Sequence, residues 1–173
     1  MRRLLSALAV TSCLLTGFPA VLWAQTLPGF TLFSGVKNEN QLPFRLDFGG
    51  KANALDRYRL RIPAKKMKLA VSEFAILYPD YYKGFFDTQR IDVRVNGKNM
   101  PLQEVKWSKE NHLVEIYLQE PVPAGKPVEL VFSNVKNPNS GTYYFNCEIL
   151  SPGDVPLRRR IGTWILGIEN ASR

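Results

Sequence analysis

Two cysteines and one histidine are all that the 173 residues supply of the side chains most used for covalent and metal chemistry. Cys13 falls within the first two dozen residues, so Cys147 is the only thiol between residues 25 and 173. A lone thiol excludes an intrachain disulfide in that span. One thiol and one imidazole, His112, cannot complete a structural zinc site. The sequence has no DxDxDG loop for calcium and no GxSxG elbow for a serine nucleophile. Its 15 acidic residues show no spacing that selects a pair for glycoside hydrolysis. Asp80 and Asp87, which bracket one loop, come nearest to a shared cation site. No catalytic residue, cofactor or metal is therefore expected. Helical periodicity is also scarce after residue 24, which removes helical folds from consideration.

What is present begins with Met1-Arg2-Arg3 and the apolar run LLSALAVTSCLLTGFPAVLWA. A short positive start, an apolar stretch and a small residue at Ala24 predict a secretory signal peptide over residues 1–24. An uncleaved anchor over Leu4 to Ala24 and a lipid-attachment box at Val10-Thr11-Ser12-Cys13 are the alternatives. Residues 25–173 then make one domain, exported to the periplasm, the cell surface or the medium. The formal charge is +8, and removing Arg2 and Arg3 leaves about +6. Outside the cell that excess meets an anionic polysaccharide or an acidic envelope protein, not nucleic acid.

The remaining pattern repeats every two residues. Asp56 to Ile62 alternates, with Tyr58, Leu60 and Ile62 on one face and Arg57, Arg59 and Arg61 on the other. Further strands are expected at 31–36, 44–48, 68–76, 91–95, 104–107, 112–118, 128–132, 142–150 and 161–168. Asn96-Gly97 is a strong hairpin signal. Eight to ten short strands punctuated by Gly, Pro and Asn predict an all-β, antiparallel, immunoglobulin-like β-sandwich without the immunoglobulin disulfide.

Alternation through TYYFNCEI aligns Tyr143, Phe145, Cys147 and Ile149 on one face, so Cys147 is expected to pack as a small core residue. The best binding candidate is the aromatic loop, which carries Tyr78, Tyr81, Tyr82, Phe85 and Phe86. Exposed, Tyr81, Tyr82, Phe85 and Phe86 would form a stacking platform for a sugar or an anchor for a protein. Folded back, they would plug the end of the sandwich. The stripe Arg57, Arg59 and Arg61, joined by Lys65, Lys66, Lys68 and Arg158 to Arg160, is the second candidate, an anion-binding surface. Its plain alternative is a solvated strand face guarding an edge.

Three blocks carry a family resemblance: RYRLRIPAKKMKLAVSEFAILYPDYYKGFFD, VPAGKPVELVFSNVKNPNSGTYYFNCEILSPGDVPL and GTWILGI. They resemble an exported cyanobacterial family known by a domain-of-unknown-function label, over most of residues 27–168. The resemblance implies a secreted or envelope protein and supplies no cofactor or catalytic residue. A non-catalytic binding or adhesion module is thus expected. The alternatives are a structural stabiliser of an envelope assembly and a carboxylate-based enzyme acting on envelope polysaccharide.

Overall fold

Strand-forming alternation and turn residues account for most of the backbone. The computed structural model describes residues 35–153 and 157–170; the expected signal peptide over 1–24 lies outside them, as do residues 31–34 of the first expected strand. Residues 35 and 36 are irregular. Ten strands follow: β1 (Phe44–Leu46), β2 (Leu55–Ile62), β3 (Val71–Leu77), β4 (Ile91–Val95), β5 (Lys98–Met100), β6 (Leu102–Ser108), β7 (Leu113–Val122), β8 (Val128–Lys136), β9 (Gly141–Leu150) and β10 (Arg159–Ile168). They form two five-stranded antiparallel sheets, ordered β1-β2-β8-β4-β5 and β10-β9-β3-β7-β6. This is the expected all-β sandwich.

Boundaries moved where local chemistry overrode the pattern. The strand begun at Phe44 stops at Leu46, because Asp47 turns to the arginines of β2 and Gly49 and Gly50 take positive φ. The strand expected from residue 68 begins at Val71, behind a 3-10 turn at Ala64–Lys66. Asn96 and Gly97 both take positive φ, 50° and 80°, as a two-residue turn between β4 and β5 requires. The three residues of β5 are too few to have shown alternation.

The inward faces supply large buried side chains, among them Tyr58, Phe74, Phe132, Phe145 and Trp164. Burial of each stabilises by roughly 1.5–3 kcal/mol, which is how the sheets hold together without a disulfide. The Trp164 indole N–H also crosses between sheets to donate to the Arg61 carbonyl at 3.1 Å. Cys147 is a free, fully buried thiol in register with Ile76 on one side and Gly162 on the other. Burial pushes its pKa well up, which leaves the thiol protonated and unreactive.

Strand β10 is an edge, and the segment before β1 lies against it. Gln41 bridges Thr163 in parallel, and the Leu42 N–H donates to the Thr163 carbonyl at 2.8 Å. Gly162 makes this approach possible, since a Cβ there would stand 2.6 Å from Leu42 Cγ and 2.8 Å from the Asn40 carbonyl oxygen. That contact explains the glycine of the GTW motif.

Candidate functional site

The aromatic loop joins β3 to β4 and divides its rings between two environments. Pro79 accepts from the Tyr82 N–H at 3.0 Å, closing a turn, and Phe85 exchanges both backbone hydrogen bonds with Lys136 at 3.0 Å. These two fixings set the register. Tyr78, Tyr82 and Phe86 point into the sandwich, and Phe145 packs against all three with centroids 5.0–6.1 Å away. Tyr58 Oη lies 3.3 Å from Tyr82 Oη and donates to Asn137 Oδ1 at 2.6 Å. Desolvation pushes the pKa values of Tyr58 and Tyr82 well up. The platform expectation is therefore corrected for two rings: Tyr82 and Phe86 belong to the core, because the loop's backbone anchors turn them inward.

Tyr81 and Phe85 face solvent, 53% and 47% exposed. Neither is loose. The Tyr81 ring lies 5.5 Å from that of Tyr143, and its hydroxyl donates to the Thr142 carbonyl. The Trp107 and Phe85 rings meet edge to face with centroids 5.2 Å apart, and the Trp107 N–H donates to Tyr78 Oη at 2.7 Å. Lys109 Nζ sits 4.6 Å from the Trp107 ring and 5.7 Å from Phe85, a cation–π geometry.

Register also lays out the arginines. On the outer face of the first sheet, Arg59 and Arg61 of β2 lie opposite Val131 and Glu129 of β8, whose other neighbours are Asp92 and Arg94 of β4. Arg57, Arg59 and Arg61 do share this face, but the stripe is partly neutralised, two carboxylates being shared among five guanidiniums. Asp47 lies 3.0 Å from Arg45, 2.8 Å from Arg59 and 3.8 Å from Arg57. Glu129 lies 3.0 Å from Arg61, 3.2 Å from Arg59 and 3.9 Å from Arg94. Val131 faces outward and is still buried, covered by the side chains around it.

The wider basic surface assembles only in part. Arg158 sits over the outer face of the second sheet, 2.6 Å from Glu73 and paired also with Glu115. Lys66 and Lys68 share a small cleft with Arg159 and Arg160, and Lys65 is exposed on its turn. Asp87 is no free cation ligand, since it accepts from the Gln89 N–H at 3.2 Å and from Asn134 Nδ2 at 2.9 Å. Among the described residues, no group of three His, Cys, Asp or Glu could hold a metal ion.

Two buried polar residues organise this end of the sandwich, and neither stood out in the sequence. Asp56 accepts from the backbone N–H groups of Phe48, Gly50 and Arg57 at 2.6–2.9 Å. Asn137 ties Tyr58 to the Lys51 carbonyl, 2.8 Å from its Nδ2, while its own N–H donates to Ala54. A cleft of about 410 Å³ is lined by Asp56 and Asp87 together, but both carboxylates are already engaged as acceptors. A signal did exist for Glu73: one acid inside the apolar run of β3 demands a cationic partner.

A family model described as "Protein of unknown function (DUF2808)" matches residues 30–168. The chain belongs to this family. No curated protein matches it in sequence. Among solved structures it is similar to BslA, a bacterial hydrophobin, at 16% identity and a TM-score of 0.50, over 77% of this chain and 95% of that one. It is also similar to the collagen-binding domain of a Staphylococcus aureus adhesin, at 8% identity and 0.42, over 75% and 97%. An immunoglobulin-like protein from Nocardia farcinica matches at 12% identity and 0.43, over 74% and 97%. Identities this low speak to the fold alone. No helix among the described residues is long and apolar enough to cross a membrane.

Proposed function

We propose that this protein is a non-catalytic binding module, exported to the cell envelope, whose contact surface is the loop-bearing end of the sandwich around Tyr81 and Phe85. One observation carries the reading: these two rings are held in solvent by a rigid backing of Trp107, Lys109 and Tyr143, although neighbouring rings of the same loop fill the core. Fixed aromatic faces lose little entropy when a partner stacks on them, which is why such residues anchor interfaces. The partner is a polysaccharide or protein of the envelope. The N-terminal signal pattern supports export, and the adhesin and hydrophobin among structures of similar fold are in keeping with it.

Co-sedimentation of the purified protein with isolated envelope material tests this. Tyr81→Ala/Phe85→Ala should weaken retention about tenfold or more, as loss of two aromatic anchors does, while the melting temperature stays within a few degrees. Undiminished retention by the double variant would remove the loop end as the contact surface.

A further inference from the structure

The end of the sandwich opposite the aromatic loop carries cations that no described carboxylate answers. Lys66, Lys68 and Leu69 come from the link between β2 and β3, Arg159 and Arg160 open β10, and all five line a cleft of about 150 Å³. A second cleft of about 310 Å³ adjoins it at Asn40, Arg160 and Ile161 and adds Lys37. Lys37, Lys66, Lys68, Arg159 and Arg160 line the pair, and no acid among the described residues does. None of these cations makes an ion pair among the described residues. Of the acids on adjoining elements, Glu73 and Glu115 are taken by Arg158, while Glu39 and Glu148 line neither cleft. Counting Glu39, Glu148 and Asp154, which lies outside the described residues, still leaves five cations against three acids. Arg160 is fixed by neutral partners, its Nη2 donating to Asn146 Oδ1 at 2.6 Å and to Thr163 Oγ1 at 2.8 Å. Its charge is therefore positioned but unspent.

We infer that this basic pole seats the protein on a membrane surface rich in anionic phospholipid headgroups. Clustered lysines and arginines are drawn to such a surface, each contributing to the attraction while it lies within a Debye length. Leu69, 46% exposed beside Lys68 in the same cleft, is a part that a soluble anion would not use. It can enter the boundary between headgroups and acyl chains while the lysine ammoniums stay with the phosphates. Leu157, two residues before Arg159 and 76% exposed, adds a second apolar side chain to the segment. No aromatic ring lines either cleft, so a sugar or a nucleic-acid base has nothing to stack on there. The seven residues of β3 separate this pole from the aromatic loop by about 20 Å. A protein seated in this way holds Tyr81 and Phe85 away from the bilayer. The pole is distinct from the Tyr81–Phe85 surface and stands or falls without it.

Vesicle co-sedimentation of the protein purified after export decides the matter, with phosphatidylcholine vesicles set against vesicles of equal parts phosphatidylcholine and phosphatidylglycerol. The anionic vesicles should retain it about tenfold better or more, and the excess should fall as salt rises. Lys66→Gln/Lys68→Gln should lose about tenfold in vesicle affinity. Lys83→Gln/Arg90→Gln, which removes the same charge from exposed positions at the loop-bearing end, should bind like the parent. Leu69→Ala should weaken binding about threefold and leave its salt dependence unchanged. Tyr81→Ala/Phe85→Ala should leave vesicle binding unchanged, which keeps this result separate from that of the loop surface. The inference is overturned if neutral vesicles bind as well as anionic ones, if the two charge variants lose alike, or if Leu69→Ala binds like the parent. In that last case, tight binding of a sulfated dextran would assign the pole to a soluble polyanion instead.

Discussion

At the scale of single residues, a thiol reagent reads the environment of Cys147 directly. Its sulfur is fully buried between β3 and β10 and its pKa is pushed up by desolvation. Labelling should therefore be negligible in native buffer and complete in denaturant, with the rate tracking the unfolded fraction; rapid modification of the folded protein would contradict this placement. Alternation in TYYFNCEI made that burial legible, because a period of two needs no knowledge of the partner strand. Asn137 and Asp56 were not legible in the same way. Asn137 reads as a turn residue beside a proline, yet its partner Tyr58 lies 79 positions away. Asp56 reads as one more polar residue in an alternating run, and only the folded loop shows it collecting three backbone N–H groups. Single-residue roles that depend on distant closure leave no local trace.

At the scale of the element, the aromatic loop shows where pattern reading ran out. Tyr78, Tyr82 and Phe86 recur every four positions, and so do Tyr81 and Phe85, so the sequence offers two equivalent faces. The choice is made by the turn at Pro79 and the Phe85–Lys136 bridge, neither of which has a periodic signature. Gly84 is part of that choice. A Cβ on it would lie 2.5 Å from the Tyr82 ring and 2.7 Å from the Lys136 carbonyl oxygen. Gly84→Ala should accordingly destabilise the protein by about 1–3 kcal/mol, as overpacking of a filled site does. Urea unfolding measures the loss, and a change below about 0.5 kcal/mol, the range of neutral surface substitutions, would show that Tyr82 is not held as described. The strands themselves were largely readable, from the long β9 to the Asn96-Gly97 hairpin, since their signals are local.

At the scale of the whole molecule, buried acids set the response to alkaline pH. Desolvation raises the pKa of Cys147 and of Tyr58, Tyr78, Tyr82 and Tyr143 in the folded state. The fold thus favours the protonated forms, and the unfolded chain releases its protons first, the thiol near pH ~8.5 and the phenols near pH ~10. Their contribution is fully present below those values and is lost as pH rises through them towards the folded-state values. The urea midpoint should be flat between pH 7 and roughly 8.5 and then fall steadily, with tyrosinate absorbance appearing together with unfolding. A midpoint unchanged to about pH 11 would refute it. The positive excess of +8 was legible as a sum, but its geography was not. Asp47 and Glu129, from segments far apart in the chain, pair with the arginines of the stripe, two carboxylates among five guanidiniums.

The cover over β10 has a bearing on assembly. An unpaired strand edge is a template for another chain. β1 and β5 are only three residues long, and β6 carries a register shift and the Glu104–Lys106 pair. β10 runs for ten residues, and its free side meets a short parallel contact at Gln41 and Leu42 and a single bridge between Lys51 and Glu169. A few hydrogen bonds hold that segment where an antiparallel ladder could form. With Leu42 itself buried in the core, residues 40–42 cover part of the edge that an unpaired strand would offer to a second copy.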